Sequence, residues 1–281
     1  MDKVYHKISV VIPSYNQGQY IEDTIRSVVA QDYPNVEIIV MDGGSTDNSV
    51  DVIKKYESSL TYWQSQKDNG QSAAINEGFK KATGEFVTWL NSDDIFLPGT
   101  LHCVNDYINK YPATKWFLGN LFWMDKIGTI IRTGKVESES RFWNKHFLFS
   151  NGGPSAFMNR ERLIELGLLR EDFHYMMDTE LWYRFLSNGD FFVRINMYCW
   201  GLRLHEAAKM SGHNFANSEL AQKSHPSWLQ KKKEGEEMAS LYPQSAFIKR
   251  LWRFSKVFSI AYLTNVFERK WLGKNINEYH K

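Results

Sequence analysis

The sequence predicts an α/β protein: a mostly parallel central sheet with helices on both faces, followed by a C-terminal helical extension. Short β-branched runs alternate with amphipathic stretches through residue 120, which is the rhythm of strand and crossover helix. The runs are apolar enough to be buried on both faces, as a covered parallel sheet requires, and from Asn214 onward the spacing is helical.

In order, Ile8 to Ile12 reads as a buried strand and Tyr20 to Ala30 as a helix with Ile21, Ile25, Val28 and Val29 on one face. Val36 to Met41 is a second strand, and Thr46 to Tyr56 a second helix with Ser45 or Asp47 as its cap. Leu60 to Trp63, a helix from Ser72 to Lys81 ended by Gly84, and the strand Phe86 to Leu90 complete this half. After Tyr111 the pattern is mixed. Strands Trp116 to Trp123 and Gly128 to Arg132 flank a turn at Asp125-Lys126, and a loop covers Asn151 to Pro154. Helices Arg160 to Gly167 and Asp178 to Asn188 and a strand Phe191 to Ile195 follow, then helix interrupted by Pro226 and Pro243.

Composition narrows the function. At 281 residues, 43% hydrophobic and 23% charged, the chain buries a real core and is neither disordered nor coiled coil. A net charge of +2 gives no global electrostatic grip on nucleic acid. Cys103 and Cys199 stand far apart, without the spacing of a disulfide framework or a zinc site, which suits a reducing cytoplasm. The apolar run after Lys7 is too short for a signal peptide, and no stretch has the length of a membrane span. Aromatic content is 15%, with ten Trp, and such rings stack on sugars and bases.

In parallel sheets ligands bind beyond the carboxyl ends of the strands. Three loops belong there: Pro13-Ser14-Tyr15-Asn16, Asp42-Gly43-Gly44-Ser45-Thr46-Asp47 and Asn91-Ser92-Asp93-Asp94. Adjacent carboxylates are costly without a positive charge between them, and Mn²⁺ or Mg²⁺ holding a diphosphate is an economical answer. The competing reading makes Asp93 and Asp94 caps of the helix after Pro98, Tyr15 a core aromatic and the glycine loop a plain turn.

These runs, together with Asp68-Asn69-Gly70-Gln71, Asn76-Glu77-Gly78 and Ala82-Thr83-Gly84-Glu85, resemble the family 2 glycosyltransferases of the GT-A fold. The likeness is strong over residues 7 to 110 and weaker over 145 to 212. It implies a GT-A domain over 1–213, with a nucleotide-sugar half (1–110) and an acceptor half (111–213), and an extension over 214–281. It further implies a nucleotide-sugar donor, by preference a UDP-sugar, and a glycan or lipid-linked acceptor of the kind used in bacterial surface polysaccharides. Pro13, Ser14, Tyr15, Asp42, Asn69, Ser92 and Asp93 would bind the nucleotide, Tyr15 against the base and Asp42 at its edge. Asp94, Asp93 and His205 would hold the metal, with Asp94 preferred for direct coordination. Two departures stand out: Asn91 replaces an acidic residue and Ile75 an arginine near the diphosphate, leaving compensation to the metal, Lys67 or elsewhere.

Met177 to Phe185 resembles the family's acidic motif at a helix start, which makes Asp178 the base that deprotonates the acceptor and Glu180 its support. Asp178 as a simple helix cap, with Trp182 in the core, is the alternative; otherwise Trp182 joins Gly152, Gly153 and Pro154 in facing acceptor or sugar. A single in-line displacement would invert the anomeric carbon. Against this stand a sugar-nucleotide nucleotidyltransferase, which wants a basic glycine loop after the first strand, a dehydrogenase, which wants GxGxxG, and a silent nucleotide- or glycan-binding module. Finally, 247–274 mixes cations with aromatics, as an interfacial helix on the inner face of the plasma membrane would; packing on the domain or in a homodimer is the alternative.

Overall fold

The computed structural model describes residues 4–136, 141–147, 156–206, 208–209, 226–249 and 271–279. Residues 250–270, which carry most of the predicted interfacial segment, and Gly152, Gly153 and Pro154 lie outside them.

Four parallel strands begin the sheet: β1 (Ile8–Ser14), β2 (Val36–Asp42), β3 (Tyr62–Ser65) and β4 (Phe86–Trp89). Successive residues point to opposite faces, and both faces are buried. On β1, Val11 faces one core while Ile8, Val10 and Ile12 face the other; on β2, Ile39 and Met41 oppose Ile38 and Val40. This is why the strands read as continuous apolar runs.

Crossover helices fill both sides. α1 (Ile21–Val29) buries Ile21, Ile25 and Val28, with Glu22 and Asp23 at its positive end and Arg26 at its negative end. α2 (Ser49–Lys55) starts later than predicted, because Asp47 Oδ1 already takes the Ser49 N–H at 2.9 Å and Asn48 sits at the cap position. α3 (Gln71–Lys81) ends with Ala82 already extended, so Gly84 plays no part in stopping it. The strand expected at Leu60 to Trp63 lies two residues later.

The second half adds β5 (Ile95–Phe96), α4 (Thr100–Lys110), the hairpin β6 (Trp116–Met124) and β7 (Ile130–Gly134), α5 (Arg141–Lys145), β8 (Ala156–Asn159), α6 (Arg160–Glu165), α7 (Met177–Ser187) and β9 (Val193–Arg203). Strand order is β3-β2-β1-β4-β8-β6-β9-β5, with β7 on β6. β8 runs antiparallel between β4 and β6, whereas β9 runs parallel to β6. β9 is much longer than the Phe191 to Ile195 expected, and it delivers Arg203 to the carboxyl end of β4.

After β9 comes α8 (Pro226–Leu241). Its Met238 enters the core that α3 and α7 share, and Ile276 joins a smaller cluster with Phe122, Met124 and Ile130. Among the described residues, packing is therefore continuous across the expected division at 213/214. No helix among them is long and apolar enough to cross a membrane.

Candidate active site

Beyond the carboxyl ends of β1, β2 and β4 lies a cavity of about 650 Å³, walled on its far side by residues after β9. The loops after β1 and β2 are laced together. Asn16, at φ +52°, gives its N–H to Ser45 Oγ at 2.8 Å and accepts the Thr46 N–H on Oδ1 at 2.8 Å, while the Gly18 N–H reaches Asp47 Oδ2 at 2.9 Å. Gly44 turns the chain at φ +82°, a region closed to most side chains. Tyr15 stands at the mouth, 60% exposed, with its ring free for stacking, so it is not the core aromatic of the competing reading. Pro13 and Ser14 line the wall, and Ser14 Oγ and Gln17 Oε1 are buried there without a hydrogen-bond partner among the described residues.

Asp42 does not reach this cavity. Oδ2 accepts from the Gly44 N–H, the Ser45 N–H and the Ser65 hydroxyl, and Oδ1 from the Ser45 hydroxyl, so both oxygens are spent in holding the turn. Asp42 thereby holds the turn after β2. Asp42 and Asn69 both line a smaller adjoining cavity of about 270 Å³.

The acidic pair is asymmetric. Asp94 is 1% exposed; Oδ1 accepts the Arg203 N–H and Oδ2 the Asn91 amide, each at 2.9 Å. Burial first, and Asp93 second, push its carboxyl well above the usual range. Asp93, by contrast, keeps Oδ2 at the cavity, 3.0 Å from His205 Nε2. Both aspartates line the cavity; each Asp94 oxygen already accepts one hydrogen bond, whereas Asp93 Oδ2 meets only the buried imidazole of His205, which lies behind it and outside the cavity lining. Neither aspartate caps a helix, since Gly99 holds the cap position of α4. Ser92 is buried beside them in the cavity wall.

Arg203 organises this edge. Its Nε donates to the Asp93 carbonyl and Nη1 to the Lys126 carbonyl, both at 2.9 Å; Nη2 lies 3.2 Å from Asp23 Oδ2, and the guanidinium sits 4.9 Å from the Tyr20 ring centre. Tyr20 in turn packs on His205 at 4.6 Å between ring centres, fixing the imidazole.

Opposite stands Lys209. Its ammonium donates to Gln71 Oε1 at 2.9 Å; Gln71 Nε2 donates to Asn91 Oδ1 at 2.7 Å, and Asn91 continues to Asp94. Asn91 thus serves as a bridge that an acidic residue could not make without repelling Asp94. Ile75 is buried in the core, so the cation absent there enters from the other wall as Lys209, with Lys67 also lining the cavity. Burial lowers the Lys209 pKa to about 8, against the opposing pull of Glu234 and Asp178.

Asp178 is the second residue of α7, close enough to Lys209 for the two charges to act on each other. It is not the cap, a position held by Met176. Its Oδ1 accepts the Thr179 N–H at 2.6 Å, and burial raises its pKa above the ordinary aspartate value. Glu180 is turned away, 2% exposed, pairing with Arg184 at 2.8 Å and accepting the Tyr242 hydroxyl at 3.1 Å, so it supports the helix and not the base. Trp182 is likewise no sugar contact: it is 1% exposed, stacked between Trp116 and Trp89 on the helix face turned to the sheet.

The hydrogen-bond partners of Arg203 and Lys209 lie 77 to 180 positions away in the chain, and Tyr20 carries no local signal of its role.

Comparison with known proteins bears on family and fold. The sequence profile of Glycosyl transferase family 2 matches residues 9–161. An uncharacterised glycosyltransferase of Rickettsia conorii is 31% identical over 192 residues, covering 64% of this chain and 32% of its own. The GalNAc(5)-diNAcBac-PP-undecaprenol beta-1,3-glucosyltransferase of Campylobacter jejuni is 30% identical over 195 residues, covering 66% of this chain and 62% of its own. The chain thus spans from about a third to three fifths of these relatives. Among solved structures, S. aureus TarS 1-349 in complex with UDP-GlcNAc superposes with a TM-score of 0.60 at 21% identity, over 73% of this chain and 60% of that one. Mannosyltransferase PcManGT from Pyrobaculum calidifontis, in complex with GDP-Man and Mn2+, gives 0.53 at 15% identity, over 95% and 85%. With more than half its length matched by the family profile, on a GT-A fold, the chain belongs to glycosyl transferase family 2.

Proposed function

We propose that the protein transfers a sugar from a nucleoside-diphosphate donor, by preference a UDP-sugar, to a hydroxyl of a glycan or lipid-linked acceptor, inverting the anomeric carbon. The observation that carries this reading is the polarity of the cavity: cations, Lys67 and Lys209, and carboxylates, Asp93 and Asp94, line one space, with the exposed Tyr15 ring among the lining residues. That distribution suits a ligand with a flat base, two phosphates and a metal.

In this reading Tyr15 stacks on the base, and Ser14 Oγ and Gln17 Oε1, unpartnered among the described residues, meet its polar groups or the ribose. Lys209 and Lys67 offset phosphate charge. Asp93 and His205 hold Mn²⁺ or Mg²⁺, with Asp94 and Arg203 fixing the backbone beneath them. When bound, the cation acts as a Lewis acid towards the departing diphosphate. Asp178 takes the proton of the attacking hydroxyl on Oδ2, the oxygen with no hydrogen bond among the described residues. Its desolvation makes it a stronger proton acceptor than an exposed aspartate.

The acceptor and pathway lean on relatives. The Campylobacter protein is named for an undecaprenol-diphosphate-linked substrate, and TuaG of Bacillus subtilis, 38% identical over 90 residues (31% of this chain, 36% of its own), is named as a putative teichuronic acid biosynthesis glycosyltransferase. These names support a lipid-linked acceptor and a role in polysaccharide synthesis. Calorimetric titration of UDP, GDP and dTDP, first with Mn²⁺ and then with EDTA, tests the reading. Binding of one nucleotide that EDTA weakens at least tenfold is expected; no binding of any would overturn it.

A further inference from the structure

We infer that Glu234, on the C-terminal helix α8, is a positioning residue for the candidate base. Its carboxylate is 2% exposed and gathers three consecutive backbone amides: the His174 N–H on Oε1 at 2.8 Å, and the Tyr175 and Met176 N–H groups on Oε2 at 2.8 and 2.9 Å. Gln230 Nε2 completes Oε1 at 2.9 Å. Those amides form the turn that leads into α7, whose cap residue, Met176, has no side chain able to accept a hydrogen bond at the helix start. Successive N–H groups converging on one point make an anion-binding concavity, and here the anion is supplied by the chain itself, 58 to 60 positions further on.

The turn carries three parts of the site. His174 lines the cavity; the Tyr175 ring lies 5.6 Å from the Lys209 ammonium; Asp178 follows one step into α7. One buried carboxylate therefore fixes the wall beside Lys209 and the azimuth of the base. Docking of α8 does not require it, because Met238 in the core and the Arg170–Glu237 ion pair at 2.7 Å already attach the helix. Burying an unpaired carboxylate for packing alone would be unfavourable, whereas three charge-assisted bonds to a catalytic turn repay its desolvation. The inference rests on Asp178 as base, and it brings into the active site a helix that lies outside the part matched by the family profile.

Glu234→Gln presents an amide NH₂ to backbone donors and loses at least one of the three bonds; Glu237→Gln is the control for helix docking. Two readouts apply to the full-length protein. Hydrogen exchange at amides 174–177 should quicken about tenfold or more in Glu234→Gln and stay at the wild-type rate in Glu237→Gln. Nucleotide release from UDP-GlcNAc, UDP-glucose or GDP-mannose with Mn²⁺ should show kcat down about tenfold in Glu234→Gln, with donor KM within about twofold. Should Glu234→Gln not fold, Glu234→Asp, which keeps the charge one methylene short, replaces it, with the same direction expected. Unchanged exchange at 174–177, or equal loss of kcat in both variants, overturns the inference. If the wild type releases no nucleotide from any of these donors, the base reading falls by itself, and the exchange data still decide whether Glu234 holds the turn.

Discussion

Asp93 and Asp94 are neighbours in the chain with opposite employments. Asp93 faces the cavity and His205, so Asp93→Asn should cut metal-dependent affinity for a nucleoside diphosphate at least about tenfold in a calorimetric titration while leaving melting near wild type. Asp94→Ala leaves the Arg203 N–H and the Asn91 amide buried without acceptors, and should cost about 1–3 kcal/mol in a denaturant titration. The sequence marks both residues but not their different partners, because Arg203, whose N–H Asp94 accepts, is brought in by β9 from 109 positions away. Lys209 is the other case of a residue in plain view with hidden partners. Its pKa, lowered by burial to about 8, means that the free protein loses this positive charge as pH rises through that value. Affinity for a nucleoside diphosphate should therefore fall about tenfold between about pH 7.5 and 9.5. Lys209→Arg, charged throughout, should flatten that limb, and a slope persisting in the arginine variant would remove Lys209 from the phosphate site.

Helices and strands were legible where one face or two were apolar over a full element. β1, β2, β4, α1 and α3 lie close to where periodicity puts them, since their burial pattern and their sequence pattern are one fact. β9 was cut short because its second part, Met197 to Arg203, is set by pairing with β6 and β5 and mixes cysteine, glycine and tryptophan. β5 and β8 are short strands whose existence depends on those neighbours. Gly78 shows how tightly the predicted elements fit: a Cβ there would lie 2.3 Å from Val11 Cγ1, inside the core of β1. Gly78→Ala raises intrinsic helix propensity, yet must push α3 off the sheet. The variant should lose about 1–3 kcal/mol in a denaturant titration, and because α3 carries Gln71, the partner of Lys209, nucleotide affinity should fall with it. A variant as stable as wild type would mean that α3 slides without cost.

At the scale of the whole molecule, the described residues of the C-terminal region meet the core at two places. α8 buries Met238 and Glu234 against the α7 side, and residues after 271 join the β6–β7 hairpin, where the Ile130 N–H donates to the Lys274 carbonyl at 2.7 Å and the Ile276 N–H to the Gly128 carbonyl at 2.7 Å. Sequence periodicity reported helix there but not what the helix meets, because one glutamate among many polar residues carries no sign of burial. This arrangement changes how a membrane role must be tested. Deleting residues 245 to 281 would also strip Ile276, Trp271 and Tyr279 from their cluster with Phe122 and Ile130, so lost liposome binding could reflect lost folding. Charge reversal of Lys249, Arg250, Arg253 and Lys256 to Glu keeps both attached segments in the chain. If the basic-aromatic segment lies on an anionic surface, each cation contributes about 1 kcal/mol, and reversing four should reduce co-sedimentation with vesicles containing phosphatidylserine by at least about a hundredfold at low salt. Melting temperature and nucleotide affinity should stay unchanged. Binding that persists at full strength would assign the segment's aromatics to protein packing, on this chain or on a second copy.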